Sequence, residues 1–201
     1  MARTHGSKGE ETAKRIDEVA LKLFAKKGYA AVSMREIALE VGVQAGALYN
    51  HCPNKQALLT NLLADHMQAL LDAWGDMELP KDPAQQLETF VRFHIQYHLK
   101  RPDQVFISYM ELRNLEPDNF KKIEALRRQY EAIPKNILAA GQMAGQFNLA
   151  DTHVAAMAIL AQLTGVTTWY REQGRLSQQK IEDIYVQLVC QSVGITLSGG
   201  H

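Results

Sequence analysis

The sequence predicts an all-α protein, and two observations support that prediction. Apolar residues recur with a period near 3.6 in nearly every segment between the glycines and prolines that divide the chain. Sustained alternation of β-branched residues, the pattern typical of strands, is absent from the sequence. The chain has 201 residues, 46% of them hydrophobic and 22% charged, which is typical of a globular protein of one or two domains.

Three helices are predicted in the first quarter of the chain. They span about Glu11–Lys27, Ser33–Val41 and Ala45–His51. Ser33 and Glu36 have the S-x-x-E spacing of a capping box, in which each side chain accepts a hydrogen bond from a free amide at the helix start. Gly28 and Gly42 are expected to end the first and second helices, because glycine tolerates the left-handed conformation at a helix C-terminus.

Six further helices are predicted in the rest of the chain. Their approximate limits are Asn54–Trp74, Ala84–Lys100, Asp103–Leu115, Asp118–Gly145, Thr152–Glu172 and Gln178–Leu197. Asn54, Asp151 and Ser177 are suitable N-caps, because their side-chain oxygens accept hydrogen bonds from free amides. Pro134 falls inside one of these patterns, where we expect a kink or an interruption. The prediction is therefore about nine helices.

Charge is unevenly distributed along the chain. Lys plus Arg and Asp plus Glu both number 22, so the formal net charge is zero. Residues 1–60 contain nine basic and six acidic side chains, a balance of +3, which leaves −3 for residues 61–201. A basic head on a mildly acidic body indicates that the head alone meets a polyanion.

Several classes of protein are disfavoured by what the sequence lacks. Cys52 and Cys190 have no metal-ligand or disulfide-scaffold spacing, which fits a reducing cytoplasm. The polar N-terminus has no apolar signal core, and no stretch reaches the roughly 18 apolar residues of a membrane span. We expect His66, His94 and His98 to line a pocket or to form hydrogen bonds, because no acidic or thiol residue completes a set of metal ligands. A metal ion shared by the three histidines is the alternative. No catalytic or cofactor motif occurs, so we expect neither an enzyme nor a cofactor.

The segment from Ser33 to Leu59 predicts a nucleic-acid reader. Two short helices joined by Val41-Gly42-Val43 have the dimensions of a helix-turn-helix, whose second helix enters a major groove about 12 Å wide. Leu48 is expected to face a small apolar core. This leaves an outer surface formed by Gln44, Ala45, Gly46, Ala47, Tyr49, Asn50 and His51.

The head resembles the DNA-binding domain of TetR-family transcriptional regulators over roughly residues 13–59. The matching positions, in order, are Leu23-Phe24, Gly28-Tyr29, Ser33, Ile37-Ala38, Gly42-Val43, Gly46-x-Leu48-Tyr49 and Lys55-x-x-Leu58. The resemblance implies a helix-turn-helix domain at 1–55 and a helical effector-binding and dimerisation domain at 56–201. It also implies a homodimeric repressor that binds palindromic double-stranded operator DNA and leaves it when a small molecule binds.

The resemblance further implies roles for individual residues of the head. Positions that commonly contact phosphates are matched by Ser33, Tyr49, His51 and Lys55. Positions that face bases or the DNA backbone are matched by Gln44, Ala45, Gly46 and Asn50. The sequence departs from the family at three positions. Ala47 stands where a hydroxyl that reaches a phosphate is usual, Gln44 where a Ser or Thr cap is usual, and Cys52 where a Phe is usual. A helical corner without DNA contacts is the alternative for the same pattern.

In the body, aromatic and apolar residues interleaved with a few polar ones are candidates to line an effector cavity. The candidate effector-binding residues are Met67, Phe90, His94, Tyr97, Tyr109, Met110, Arg113 and Tyr130. Arg113 is singled out because it follows an apolar run and can hold an anionic ligand group. The alternative is core packing for the set and solvent exposure for Arg113.

The last two predicted helices carry apolar stripes that favour a homodimer. Small residues at Ala158, Ala161 and Gly165 allow helices to cross closely, as in a symmetric four-helix interface. The alternative is that these apolar stripes only complete the core of a monomer.

The run from Thr167 to Val193 resembles a TetR branch associated with fatty-acid, sterol or acyl-CoA breakdown, through its WYR, G-x-L-S, I-x-D-x-Y and LV elements. That resemblance implies an acyl-CoA or other lipid-derived effector. The alternative is a drug or aromatic metabolite that acts on a regulator of an efflux or degradation operon.

Overall fold

The structure is a computed structural model that describes the backbone of residues 5–195 and the side chains from residue 9 onward. Within residues 5–195 it contains nine α-helices, two short 3-10 turns and no strand, so the all-α prediction is confirmed. The helices are α1 (His5–Lys27), α2 (Met34–Val41), α3 (Ala45–Tyr49), α4 (Lys55–Gly75), α5 (Pro83–Leu99), α6 (Pro102–Met110), α7 (Pro117–Met143), α8 (Thr152–Trp169) and α9 (Gln178–Ser192). None of the described helices is long and apolar enough to cross a membrane.

Some helix limits differ from those predicted. α3 ends at Tyr49, because the next two amides bond three residues back, at 3.2 Å and 3.0 Å, and tighten the turn. α9 ends at Ser192 instead of Leu197, because Gly194 adopts a φ of 84° that stops the helix. α7 continues through Pro134 without the interruption that we expected. The proline side chain is buried there, so its packing offsets part of the cost of the lost backbone hydrogen bond.

The chain divides into two compact units. One, the head unit, comprises the chain up to Gln68 together with Asp103–Leu126. The other, the body unit, comprises Ala69–Pro102 and the chain from Arg127 onward. The head unit therefore includes α6 and the start of α7, in addition to the residues before the boundary predicted at 55/56. Both ends of the predicted domain ranges, 1–4 and 196–201, lie outside the described residues.

One continuous apolar core holds the head unit together. It contains buried side chains from α1, α2, α3 and α4, including Phe24, Ile37 and Leu48, each essentially inaccessible to solvent. Ile107 from α6 and Ile123 from α7 belong to the same core. Burial of several large apolar side chains is the main source of stability for so small a unit.

The body unit is organised around α5, which packs against both α8 and α9. Arg92 on α5 donates to Asp183 on α9 at 2.8 Å and to Glu88 one turn earlier at 2.9 Å. Next to this pair, the Glu182 carboxylate is almost fully buried and accepts from the amides of Gln96 and Gln178 at 2.9 Å and 2.8 Å. The carboxylate therefore keeps hydrogen-bond partners after it leaves water.

Candidate DNA-binding surface and effector site

The start of α2 is fixed by half of the predicted capping box. The Ser33 hydroxyl accepts a hydrogen bond from the Glu36 amide at 3.1 Å. The Glu36 carboxylate, however, pairs with the Lys27 ammonium at 2.6 Å and does not serve as the reciprocal cap that we expected. The Lys27 hydrogen bond lowers the pKa of Glu36, because it stabilises the ionised carboxylate. The end of α1 is thereby joined to the start of α2.

The turn between α2 and α3 depends on Gly42. Its φ of 79° and ψ of 31° are left-handed, as predicted, and side chains other than glycine rarely adopt this conformation. The Val43 amide bonds to Ala38 at 2.9 Å and the Gly42 amide to Leu39 at 3.1 Å, which is the paired arrangement of a Schellman motif. This motif sets the angle at which α3 leaves α2.

α3 presents its small and polar residues to solvent. Leu48 is fully buried and anchors the helix, whereas Gly46 and Asn50 lie one turn apart on the opposite side. Tyr49 is 51% exposed. Six of the seven predicted surface residues are exposed, and Ala45 is half-buried; the six are Gln44, Gly46, Ala47, Tyr49, Asn50 and His51.

The Gln44 side chain at the start of α3 makes no capping hydrogen bond. Its amide therefore keeps its donor and acceptor for another partner. A Cβ added at Gly46 would meet no atom within 4 Å, which leaves the backbone of α3 open to close approach. A surface with these properties fits against the edges of bases in a major groove.

Lys55 is engaged inside the head unit. Its ammonium donates to the Tyr29 carbonyl at 2.9 Å and to the Val32 carbonyl at 2.8 Å, and it lies 4.2 Å from the centre of the Tyr29 ring. An ammonium has three N–H donors, so a single donor is left after these two bonds. Lys55 therefore stabilises the turn between α1 and α2, a role that the resemblance did not suggest.

Two further side chains hold the same turn, residues 28–32, which we call the Tyr29 turn. Glu111 accepts from the Tyr29 amide at 3.2 Å. Gln56 donates to the Tyr29 hydroxyl at 3.0 Å and to the Asn114 carbonyl, and it accepts from the Glu116 amide at 3.2 Å. Sequence reasoning missed these residues, because Glu111 lies 82 positions from Tyr29 and no local pattern links them.

The body unit contains a buried polar cluster centred on His94. One ring nitrogen of His94 lies 3.0 Å from the Tyr130 hydroxyl and the other 3.1 Å from the Thr164 hydroxyl. The His98 ring stacks on His94 at 3.8 Å, and its Nδ1 donates to the His94 carbonyl at 2.8 Å. Phe90 contacts both His94 and Tyr130. Helices α5, α7 and α8 therefore each contribute to one cluster.

Both histidines of this cluster are held in the neutral form. Burial lowers the pKa of His94 well below 6.5, and the neighbouring His98 lowers it further. Burial lowers the pKa of His98 to about 4, with a further lowering from Arg101 that the hydrogen bond to the His94 carbonyl opposes. A neutral imidazole donates through one nitrogen and accepts through the other, so the Tyr130 and Thr164 hydroxyls together satisfy the His94 ring.

The predicted effector residues are divided between the two compact units. Phe90, His94, Tyr97 and Tyr130 are buried and belong to the body unit. Met67 is buried in the head unit, where α6 also carries Tyr109 and Met110, which are 46% and 49% exposed, and Arg113 follows α6 and is exposed as well. Sequence reasoning missed Thr164, which completes the body cluster together with His98.

The connection between α8 and α9 forms a cavity of about 320 Å³ in the body unit. Its lining includes Trp169, Leu176, Ile181, Arg171 and Arg175. Arg171 donates to the Tyr170 carbonyl at 2.7 Å. An apolar wall with two arginines among its lining residues suits an apolar ligand that carries a negative charge.

α8 has an exposed face made of apolar and small residues. Val154 is 63% exposed and Trp169 50%, and the exposed Ala158 and Ala161 lie between them at helical spacing. Gly165 continues this face, and a Cβ added there would meet no atom within 4 Å. Packing within this chain therefore does not require a glycine at this position.

Two family models match the sequence and together cover most of it. A model described as "Bacterial regulatory proteins, tetR family" matches residues 16–62. A model described as "Tetracyclin repressor-like, C-terminal domain" matches residues 80–193, more than half of the chain.

Individual proteins are similar over nearly their whole length. The HTH-type transcriptional repressor KstR2 of Mycobacterium tuberculosis is 26% identical over 185 residues, which cover 90% of this chain and 92% of KstR2. A bacterial regulatory protein in the tetR family from Rhodococcus RHA1 has a TM-score of 0.86 at 29% identity, with 92% and 98% of the two chains covered. AibR, solved in complex with isovaleryl coenzyme A and operator DNA, has a TM-score of 0.79 at 24% identity, with 88% and 97% covered.

Proposed function

Since this chain belongs to the TetR family of bacterial regulatory proteins, which are transcriptional regulators and not enzymes, we propose that it is a ligand-responsive repressor. It binds palindromic operator DNA as a homodimer and is released by a small apolar or acyl-CoA-like effector. The observation that carries the proposal is the exposed surface of α3, where small and amide side chains lie opposite the buried Leu48. Bacterial operator DNA is in the cytoplasm, which is where we expect the protein to act.

The DNA contacts divide into two groups in this proposal. Base edges and the adjacent backbone face Gln44, Ala45, Gly46, Ala47 and Asn50. Phosphates are contacted by Ser33, Tyr49 and His51, and by the donor of Lys55 that the Tyr29 turn leaves available. Phosphate contacts fix the position of a reader on the duplex, while base contacts supply the sequence preference.

A homodimer through α8 and α9 is supported by the exposed face of α8. An apolar stripe along a helix, with Val154 and Trp169 at its ends, is normally covered by another helix. The open space at Gly165 fits a partner helix that approaches closely. A dimer also meets the requirement of a palindrome, because two readers about 34 to 36 Å apart reach successive major grooves.

The dimer is tested by Ala161→Asp, which places a carboxylate in the centre of the proposed interface. We expect the wild-type protein to sediment as a dimer and the variant as a monomer, with operator affinity lowered at least tenfold because the two readers are no longer linked. Ala125→Asp on α7, also an exposed alanine, is the control and is expected to leave both properties unchanged. A monomeric wild-type protein that binds operator DNA at full affinity contradicts the dimer.

The effector proposal is supported by two regions of the body unit and by the printed descriptions of two relatives. AibR was solved with isovaleryl coenzyme A, and KstR2 is described as a ketosteroid transcriptional regulator. In this chain, His94, Tyr130 and Thr164 form a buried polar cluster beside Phe90, and an effector that binds there exchanges one of the internal hydrogen bonds for its own. The cavity beside Trp169 adds an apolar wall with guanidinium groups. The aromatic wall of the same cavity supports the alternative of a drug or aromatic metabolite.

Release from DNA is a shift between two conformations in this proposal. The effector binds more tightly to the conformation that does not fit both readers to the operator. Operator DNA must then weaken effector binding by the same factor, because the coupling free energy between two sites is reciprocal. Equal effector affinity with and without DNA contradicts this mechanism.

The test of the whole proposal is a fluorescence-anisotropy titration on duplex DNA from the region upstream of the gene, over a salt series. We expect saturable binding that weakens as salt rises, and loss of binding when long-chain acyl-CoA is added. Binding that acyl-CoA leaves unchanged supports the repressor and favours the aromatic alternative. Absence of specific binding on this DNA, and then on a random operator library, contradicts the proposed function.

A further inference from the structure

The reader segment is unusual in its chemistry, because residues 41–54 contain no Lys, Arg, Asp or Glu. Side chains pair with bases in the major groove according to their hydrogen-bonding groups. Arg and Lys pair with the two acceptors of guanine, and Asp and Glu accept from the amino group of cytosine. α3 and both its ends therefore lack the side chains that best read a G·C pair.

Two amide side chains remain at the surface of this segment. Gln44 precedes α3 and Asn50 follows it, and both are exposed. Within the part of the chain that the structure describes, neither side-chain amide has a hydrogen-bond partner, and Gln44 makes no cap. An amide carries a donor and an acceptor side by side, which is the pattern that matches N7 and the N6 amino group of adenine.

The remaining exposed positions of α3 offer methyl groups or none. Ala47 is exposed and Ala45 is half-buried, while Gly46 leaves open space in front of the helix backbone. The partner of adenine, thymine, is the base that carries a methyl group in the major groove, and alanine makes apolar contact with that methyl. Both kinds of side chain on α3 therefore match the same base pair.

We infer that α3 reads A·T pairs: the amides of Gln44 and Asn50 bind adenine edges, and the exposed methyl group of Ala47 contacts a thymine methyl. This inference rests on the proposed function and adds the base composition of the half-site. Arg35 on α2, His51 after α3 and Lys55 at the start of α4 are the nearby side chains able to donate to guanine. In this inference they contact the backbone or pairs outside the centre of the half-site.

The first experiment selects binding sites from a random duplex library with the full-length protein. We expect an enriched palindrome whose half-sites contain at least two adjacent A·T pairs. An enriched palindrome with G·C pairs throughout its half-sites overturns the inference and leaves the repressor in place. Failure to enrich any sequence contradicts the proposed function itself, so the two failures are distinguishable.

The second experiment changes single atoms in the selected site. Replacing adenine by 7-deazaadenine removes the N7 acceptor, and replacing thymine by deoxyuridine removes the methyl, while base pairing is retained. We expect one 7-deazaadenine position to weaken binding by roughly tenfold in the wild-type protein, the effect of losing part of a bidentate contact. We expect deoxyuridine to weaken binding by roughly threefold at a neighbouring position.

Variants then assign the contacts to residues. In Gln44→Ala or Asn50→Ala, the matching 7-deazaadenine position should cost nothing further, because the contact has already been removed. Gln129→Ala, which removes an exposed glutamine from α7, is the control and should retain the full effect of the base analogue. If both amide variants keep the wild-type sensitivity at every adenine, the inference is overturned.

Discussion

The two units of the molecule use polar side chains in opposite ways. In the head unit, the candidate DNA-binding residues lie between Ser33 and Lys55, and most of them are exposed. In the body unit, the polar groups of the His94 cluster are buried and bonded to each other, with His94 reaching partners 36 and 70 positions away. A surface that meets a groove needs projecting groups with free hydrogen-bonding capacity, whereas a site for a small apolar molecule needs groups enclosed by packing.

This contrast has a consequence for how each unit responds to mutation. Substitution of an exposed residue on α3 changes binding with little effect on folding, because it removes no packing. Substitution of a residue in the body cluster changes folding as well, because a buried polar group loses its partner. The predictions below separate binding from stability, and they run from the largest expected effect to the smallest.

The largest effect is expected from a negative charge on the DNA-facing side of α3. Ala47→Asp places a carboxylate at an exposed position of the proposed interface, where it meets the phosphates of the operator. We expect operator affinity to fall by about 100-fold or more, measured by anisotropy, with the melting temperature within about 1 °C of wild type.

Ala125→Asp, the same change at an exposed position of α7, is the control for the added charge and should retain operator binding. If both variants lose binding equally, the effect is one of net charge. The contribution of α3 would then be contradicted.

The same contrast explains which features the sequence predicts. The Ser33 cap, the Gly42 stop and the burial of Leu48 follow from residues three to six positions apart, and all three are confirmed. Local spacing is sufficient there, because helix caps and amphipathic periodicity act over one or two turns.

Contacts between distant segments could not be predicted in this way. The pairing of Tyr29 with Glu111, and of His94 with Thr164, joins residues 82 and 70 positions apart. The apolar character of Tyr109 and Met110 predicts a place in an effector cavity; both are nearly half exposed on α6, and their role there stays a prediction. The face that an isolated helix buries depends on its neighbours, and a single sequence does not name those neighbours.

The next largest effect is expected from Gly141→Ala in the body unit. A Cβ at this position would lie 2.1 Å from two atoms of the Phe147 ring, far inside van der Waals contact. Phe147 is buried, so its ring must shift or the turn after α7 must open. We expect a loss of about 2 kcal/mol in the free energy of unfolding, measured with urea.

Gly9→Ala provides the matched comparison in the head unit. Gly9 lies in α1, it is exposed, and a Cβ there would meet no atom within 4 Å. The higher helix propensity of alanine should make this variant as stable as wild type or more stable. Equal stability of the two variants would show that the close approach of Phe147 to Gly141 has no energetic consequence.

The buried histidines predict that acid destabilises the body unit. The pKa of His98 is about 4 in the folded chain, against an ordinary value of 6.5. Between these values the unfolded chain binds a proton that the folded chain does not, so stability is complete above about pH 6.5 and falls toward pH 4. From His98 alone we expect a loss of about 2 kcal/mol between pH 7 and pH 5, and His94 acts in the same direction.

Urea unfolding at a series of pH values tests this expectation. His98→Gln removes the titrating ring and keeps an amide able to donate to the His94 carbonyl, so it should reduce the pH dependence. His153→Gln, at an exposed histidine of α8, should leave it unchanged. Stability that is the same at pH 5 and pH 7 in the wild-type protein would contradict the buried, neutral state of this pair.

The smallest effect is expected at Lys55, which makes hydrogen bonds inside the head unit and is also proposed to contact a phosphate. Lys55→Met retains most of the apolar stem but removes the donors to the Tyr29 and Val32 carbonyls. We expect the head unit to lose about 1 kcal/mol of stability, since the side chain is partly exposed and water replaces part of the lost bonding.

If the remaining donor also binds a phosphate, the slope of log K against log salt should fall in magnitude by about 1 for each reader. Lys26→Met, at an exposed lysine of α1, should leave stability unchanged. A stability loss without a change in slope would assign Lys55 to the Tyr29 turn alone, and the resemblance would then have assigned a phosphate contact to a residue whose role is internal.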